Sequence, residues 1–200
     1  MGRLNEKNVL IVIPKDYYNE KELDPVLEAL KKEGPANVRI ASPKLKEAVG
    51  MRSGRVMPDL MLVDAIEGIT GDSYVTGGRG ARQIKGVFHG VIVIGGSGAK
   101  RYLWNEPLLK LLLTDRHRSG FVVAGIGMGV PCLGRAGVLE SQDVAAENNK
   151  DCVKELEDAK AVIVNDEVAV GDRIITARDA SAVGPFMEAF IEAVQKTLKK

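Results

Sequence analysis

The sequence predicts a doubly wound α/β protein, in which helices cover both faces of a mainly parallel sheet. Short apolar segments rich in Val and Ile alternate along the chain with stretches of helical periodicity. Several of these segments are apolar throughout, as strands buried on both faces are. Two of them run directly into glycine-rich turns, where positive φ angles and close backbone approaches are allowed.

The predicted strands and helices follow from these two periodicities. Strands are predicted at residues 9–13, 38–41, 91–94, 121–126, 161–164 and 174–176. A helix is predicted between the first two strands, ending at Gly34, because its apolar residues recur at three- and four-residue spacing: Leu23, Val26, Leu27 and Leu30. A second helix is predicted around residues 103–113, ending before Ser119 and Gly120. A third follows Pro185, with one apolar stripe formed by Phe186, Met187, Phe190, Ile191 and Val194.

Residues 50–85 interrupt this alternation. The segment contains many glycines, including the string TGDSYVTGGRG at 70–80, and has no clear helical period. The spacing of a phosphate-binding P-loop is missing, and no strand runs directly into the string. The segment is therefore predicted to be an excursion of short strands or a surface loop.

Length and composition limit the classes of function. The 200 residues, 45% of them apolar, predict a single domain spanning 1–200. The 28 basic and 27 acidic residues balance, which disfavours a nucleic-acid partner. The apolar runs are too short for a membrane span. The polar N-terminal residues and the two cysteines lead us to expect a cytoplasmic protein with free thiols and no signal peptide.

A ligand site is expected at the carboxyl ends of the parallel strands. The first strand is followed by Asp16, the third by Gly95, Gly96 and Ser97, and the fourth by residues 127–129. Backbone N–H groups in such turns can converge on a ligand oxygen, which predicts a small-anion pocket at Gly95, Gly96, Ser97, Gly127, Met128 and Gly129 with Asp16 opposite. Packing of a helix on the sheet explains the glycines equally well.

Four segments in order carry a resemblance to a known family. They read VLIVIP at 9–14, GVIVIGG at 90–96, VVAGIGMG at 122–129 and IITARDASAVGPFMEAFIEAV at 174–194. The chain resembles the DJ-1/PfpI (ThiJ) family, within the class I glutamine-amidotransferase-like superfamily. The resemblance implies a flavodoxin-like three-layer α/β/α sandwich and a homodimer or higher homo-oligomer. It implies no cofactor.

The same resemblance predicts that the family's chemistry is lost. In the family, a cysteine in an A-I-C-H-G string is the nucleophile of glyoxalase, deglycase or peptidase reactions. The nucleophile position matches Gly127 and the adjoining histidine position matches Met128. A glutamate of PfpI-like members matches Lys100, and the acidic residue after the first strand matches Asp16. We therefore expect a family member without cysteine-dependent activity, having a residual small-anion pocket or a stress- or chaperone-like role.

Other residues could contribute to a site. Arg178, after the last strand, could bind an anion, although a structural salt bridge explains it equally well. Cys132 is predicted to be a buried structural thiol and Cys152 an exposed bystander. His89 and His117 precede strands and are far apart in sequence, so no metal site is expected.

Two alternative functions remain open at this stage. One is a hydrolase, peptidase or glyoxalase-like enzyme that uses Asp16 with Ser97 or Cys132 as an unrecognised partner. The other is a nucleotide or flavin binder that uses the glycines at 125, 127 and 129. Val130 breaks the dinucleotide-binding spacing, which disfavours the second alternative.

Overall fold

The computed structural model describes residues 2–35, 37–77 and 80–198, with side chains described outside the segment 69–85. Its strands are β1 (Asn8–Val12), β2 (Asn37–Ser42), β3 (Ala48–Val49), β4 (Arg55–Val56), β5 (Leu60–Met61), β6 (Ile69–Gly77), β7 (Gly80–Gly86), β8 (Gly90–Val93), β9 (Val122–Ile126), β10 (Asp143–Ala145), β11 (Val162–Val164), β12 (Val168–Val170) and β13 (Ile174–Ala177). Its helices are α1 (Glu20–Glu33), α2 (Leu62–Glu67), α3 (Ser97–Tyr102), α4 (Pro107–Arg118), α5 (Val130–Arg135), α6 (Lys150–Asp158) and α7 (Val183–Gln195).

A seven-stranded sheet forms the centre of the protein, in the order β12-β13-β9-β8-β1-β2-β5. Its strands run parallel except β12, which pairs antiparallel with β13. β1 lies between β2 and β8, so that Ile11 pairs with Ile40 on one side and with Ile92 on the other. The predicted mainly parallel sheet is confirmed.

Helices cover both faces of this sheet, which makes the fold a three-layer sandwich. Side chains alternate along β1, with Leu10 and Val12 facing one layer and Val9 and Ile11 facing the other. The first layer contains α4, α5 and α6, and the second contains α1 and α7. Their contributions to the two cores are Leu109, Leu112, Leu113, Leu133 and Leu156 on one face, and Leu23, Val26, Leu30, Phe186 and Phe190 on the other.

The first helix begins and ends where its sequence indicates. The Asn19 side chain caps α1 by accepting a hydrogen bond from the backbone N–H of Lys21. Gly34 ends it in the left-handed conformation, with φ 54°. The Asn19 cap holds the first turn of α1 just beyond the carboxyl end of β1, which positions the site described below.

Two predicted elements differ from the structure. The helix predicted around 103–113 is α4, which begins later than predicted because the Glu106 carboxylate caps it at Pro107; the separate short helix α3 precedes it. The strand predicted at 161–164 lies outside the central sheet, where β11 pairs with β10 in a separate two-stranded sheet. Apolar composition identified a strand there, but it does not determine which sheet the strand joins.

The excursion at 50–85 contains short strands, as predicted, together with α2. β3 and β4 form one small hairpin, and β6 and β7 form another. Gly78 and Arg79 of the glycine-rich string lie outside the described residues. Across the described part of the chain, none of the helices has the length and apolar character needed to cross a bilayer.

Candidate functional site

The carboxyl ends of β1, β8 and β9 meet at one edge of the sheet, as parallel strands require. Gly96 follows β8 with φ 107°, and Gly127 follows β9 with φ 54°. Both angles lie in the region that favours glycine. A Cβ atom on Gly96 would lie 2.4 Å from the backbone oxygen of Tyr17, so this turn also needs glycine for a close approach.

A buried carboxyl group faces Gly127. A Cβ atom built on Gly127 would lie 2.7 Å from Oε1 of Glu22, on the first turn of α1. The backbone N–H of Gly95 donates to Oε2 of Glu22 at 2.7 Å, and Nδ2 of Asn19 donates to Oε1 at 2.9 Å. Glu22 is only 2% exposed, so these contacts hold the carboxyl group in one place.

Burial dominates the protonation of Glu22. Desolvation raises the pKa of Glu22 to about 8, against the two hydrogen bonds, which favour the charged form. The nearby carboxylates of Glu147 and Asp179 raise this pKa further. Glu22 is therefore mostly protonated at neutral pH and presents a neutral carboxyl group to the space above Gly127.

Two further carboxyl groups, of Glu147 and Asp179, lie close enough to Glu22 to raise its pKa. Glu147 follows β10, and its Oε2 would lie 3.4 Å from a Cβ atom on Gly127. Burial, and then the negative charge of Asp179, raises the pKa of Glu147. Asp179 follows β13, where hydrogen bonds from the hydroxyl and backbone N–H of Ser181 lower its pKa. The edge of the sheet therefore combines one neutral and two more exposed acidic side chains.

A cleft of about 620 Å³ opens beside Glu147. We call it the Glu147 cleft. Its lining comprises Ala146, Glu147, Asn148, Val153, Ile163, Val164, Asn165, Arg178 and Asp179. The lining thus combines acidic residues with apolar residues from α6 and β11.

The predicted position of the acidic residue needs correction. Asp16 was expected at the turn, but its Oδ2 pairs with Nζ of Lys46 at 2.8 Å and its Oδ1 accepts from the N–H of Val49 at 3.3 Å. Glu22 occupies the place beside Gly127 instead. A signal for Glu22 was present in the sequence, because Asn19 and Glu22 have the spacing of a helix cap followed by an acidic third residue.

The cationic groups expected to bind an anion already have acidic partners. Nζ of Lys100 lies 2.6 Å from Oδ2 of Asp151. The guanidinium of Arg178 lies 3.5 Å from both Glu167 and Asp179. The N–H of Gly95, which was expected to face an anion, donates to Glu22 instead. Because these donors and cations already have partners, the site favours a different ligand from the predicted small anion.

The other predicted site residues lie at the same edge of the sheet. The carbonyl oxygen of Met128 accepts a hydrogen bond from Nε1 of Trp104 at 2.8 Å. A Cβ atom on Gly129 would lie 2.4 Å from the backbone oxygen of Val93, so this glycine allows close packing against β8. The exposed Ser97 begins α3, and its N–H donates to the sulfur of Met51 at 3.4 Å.

Both thiols are buried. The prediction for Cys132 is confirmed, but the prediction that Cys152 is exposed is wrong, because Cys152 is 0% exposed. Cys152 lies four residues before Leu156 on the face of α6 that joins the core. Burial raises the pKa of Cys152 to about 12 and also raises that of Cys132.

We therefore expect both cysteines to resist alkylation in the folded protein. Iodoacetamide at pH 8 should modify each thiol at least about 100-fold more slowly than in the urea-unfolded chain, because the thiolate is the reacting form. Peptide mass spectrometry at timed intervals measures each site separately. Rapid modification of native Cys132 would contradict this expectation and support a thiol-dependent reaction.

Comparison with known proteins defines the family. A sequence profile of the DJ-1/PfpI family matches residues 7–193. The chain belongs to the DJ-1/PfpI family. An uncharacterised protein of Methanocaldococcus jannaschii is 25% identical over 192 residues, which cover 96% of this chain and 84% of that protein.

Solved structures of DJ-1/PfpI proteins share the fold. A ThiJ/PfpI domain protein from Brachyspira murdochii superimposes with a TM-score of 0.80 at 21% identity, covering 97% of this chain and 99% of the other. Drosophila melanogaster DJ-1beta gives 0.74 at 18% identity, covering 96% and 92%. A putative protease I from Bacteroides thetaiotaomicron gives 0.71 at 15% identity, covering 94% and 99%. The flavodoxin-like sandwich predicted from the resemblance is confirmed.

Proposed function

We propose that this DJ-1/PfpI-family protein lacks the family's cysteine-dependent activity and binds a small ligand at the Glu147 cleft without converting it. The observation that carries the proposal is the geometry at Gly127. Gly127 lies beside the Glu22 carboxyl group with a positive φ angle that favours glycine, so no side chain is present at this turn to act as a nucleophile.

The chemistry of neighbouring residues supports this proposal. Nucleophilic catalysis needs an ionisable atom beside a base or with a lowered pKa. Met128 has no ionisable group, and burial raises the pKa of both cysteine thiols. The alternative enzyme based on Asp16 receives less support, because Lys46 binds that carboxylate.

Self-association is part of the same proposal. Four large apolar side chains close to β3 and β4 or to the turn after β1 are exposed, which supports a homo-oligomer: Tyr17, Leu45, Met51 and Met57.

The test is to restore a thiol at Gly127. We expect wild-type protein to convert no methylglyoxal to lactate above the buffer rate, whereas Gly127→Cys and Gly127→Cys/Met128→His gain measurable turnover. Glu22 would lie within hydrogen-bond reach of the new side chain. The positive φ angle costs a side chain about 1–2 kcal/mol, which a folded domain can tolerate.

Gly127→Ala is the matched control, because it adds the Cβ atom and the same backbone strain without a thiol. It should be as inactive as the wild type. Methylglyoxal consumption and lactate formation are measured together, and amide hydrolysis is assayed with a chromogenic substrate. Turnover by the wild-type protein equal to that of Gly127→Cys would overturn the proposal.

A further inference from the structure

The Glu147 cleft is lined by both acidic and apolar residues. Glu147 and Asp179 are its acidic residues, the latter paired with Arg178, and Val153, Ile163 and Val164 make up what we call its apolar wall. Ile163 is 38% exposed although it belongs to a strand, so an apolar surface is open at the cleft. A ligand complementary to both parts carries a positive charge at one end and a hydrocarbon body at the other.

We propose that the Glu147 cleft binds a small aliphatic ammonium compound, with its ammonium group between Glu147 and Asp179 and its hydrocarbon against Val153, Ile163 and Val164. The inference deepens the proposed function, on which it rests, by assigning the chemical class of the ligand. It gives this family member a binding site for amines next to the turn at Gly127.

The balance of charge favours a cation. Among the described residues that line the cleft, Arg178 supplies the positive charge, and it lies 3.5 Å from both Glu167 and Asp179. Burial raises the pKa of Glu147 most, and repulsion from the Asp179 carboxylate raises it further. An ammonium group placed between them would relieve this repulsion and donate hydrogen bonds to both.

The apolar wall explains why the ligand should carry a hydrocarbon body. An inorganic cation would leave Val153, Ile163 and Val164 in contact with water. A branched aliphatic group would cover them, and burial of apolar surface stabilises binding by roughly 25 cal/mol per Å². Asn148 and Asn165 also line the cleft, and their side-chain amides are suited to contact a polar substituent.

Isothermal titration calorimetry on wild-type protein at pH 7 and low salt tests the inference. The probes are 3-methylbutylamine, 3-methylbutan-1-ol and 3-methylbutanoate, which share one carbon skeleton and differ in the charge of the head group. We expect the ammonium form to bind with a Kd below about 1 mM. The alcohol should bind at least tenfold more weakly, and the carboxylate should give no heat of binding.

Variants locate the site. Glu147→Gln should weaken binding of the amine at least tenfold, because it removes a charge that contacts the ammonium group. Glu140→Gln is the matched control, since the Glu140 carboxylate pairs with Nζ of the exposed Lys160 at 2.9 Å outside the cleft. The Glu140→Gln variant should bind the amine as tightly as the wild type does. Ile163→Lys places a positive charge on the exposed wall and should also abolish amine binding, so the test does not depend on one variant.

Several results would overturn the inference. Equal affinity for the alcohol and the amine would show that charge is not recognised, and tighter binding of 3-methylbutanoate would indicate an anion site. Amine binding that is unchanged in both Glu147→Gln and Ile163→Lys would place the ligand elsewhere. Binding is measured without turnover, so methylglyoxal conversion by the wild type would contradict the proposed function alone, and a failure to bind amines would contradict this inference alone.

Discussion

The free energy of unfolding should decrease by on the order of 4 kcal/mol between pH 4.5 and pH 8 through Glu22 alone, because its pKa rises from 4.5 in a solvent-exposed carboxyl to about 8 in the fold. Within this window the unfolded chain has released the proton and the folded protein still binds it. The folded state therefore binds more protons, and stability falls as pH rises. Above about pH 9 both states have released this proton, and the Glu22 contribution is constant.

Glu22→Gln isolates this effect. His89 acts in the opposite direction, because burial lowers its pKa and its unfolded form binds more protons near pH 6.5. We therefore compare the two proteins at each pH by urea unfolding. Relative to the wild type, the variant should become more stable by about 1.4 kcal/mol for each pH unit within the window.

Asp16→Asn is the control for Glu22→Gln, since Lys46 lowers the pKa of Asp16 and its contribution to stability changes only at acid pH. A stability difference between Glu22→Gln and wild type that stays constant from pH 5 to pH 9 would contradict the assignment of Glu22 as a protonated group. The same result would show that the carboxyl group beside Gly127 is not neutral.

Gly98→Ala should reduce the free energy of unfolding by about 3 kcal/mol or more, because the added methyl group has no space. A Cβ atom on Gly98 would lie 1.8 Å from the backbone oxygen of Asp16. The obstacle is backbone, so the turn between β1 and α1 would have to move. The N–H of Gly98 also donates to the Tyr17 carbonyl oxygen at 3.1 Å, so the same movement would disturb this hydrogen bond.

Gly184→Ala provides the matched substitution. Gly184 lies in the first turn of α7, and a Cβ atom there would meet nothing within 4 Å. Alanine loses less backbone entropy in a helix, so this variant should gain about 0.5–1 kcal/mol. Thermal and urea unfolding measure both variants. Equal stability of Gly98→Ala and wild type would show that the turn after β1 is not packed as described.

Elements with strong periodicity could be predicted from the sequence, and elements whose partners are distant in the chain could not. The apolar spacing from Leu23 to Leu30 located α1, because a helix is a local structure. β11 was identified as a strand but not placed in its two-stranded sheet. Its pairing with β10 depends on contacts across the fold, and the side chains of Val162 and Ile163 remain exposed there.

At two positions the residues adjacent in sequence indicated the wrong environment for a side chain. Cys152 follows three polar residues, but the helical period places it with Leu156 in the core. Asp16 lies two residues beyond Pro14. It is the first acidic residue after the strand and was therefore expected at the turn. The chain instead turns at Tyr17, which has φ 60°, and the first turn of α1 then brings Glu22 back to the edge of the sheet.

The sequence by itself determined the alternation of strands and helices, the glycines in the turns and the absence of a side chain at Gly127. These are local properties of residue type and spacing. Only the tertiary structure decided which carboxyl group faces that turn and that burial keeps it protonated. The reason is physical: the pKa of Glu22 depends on desolvation and on Gly95, Glu147 and Asp179, which lie far from it in the chain and close to it in space.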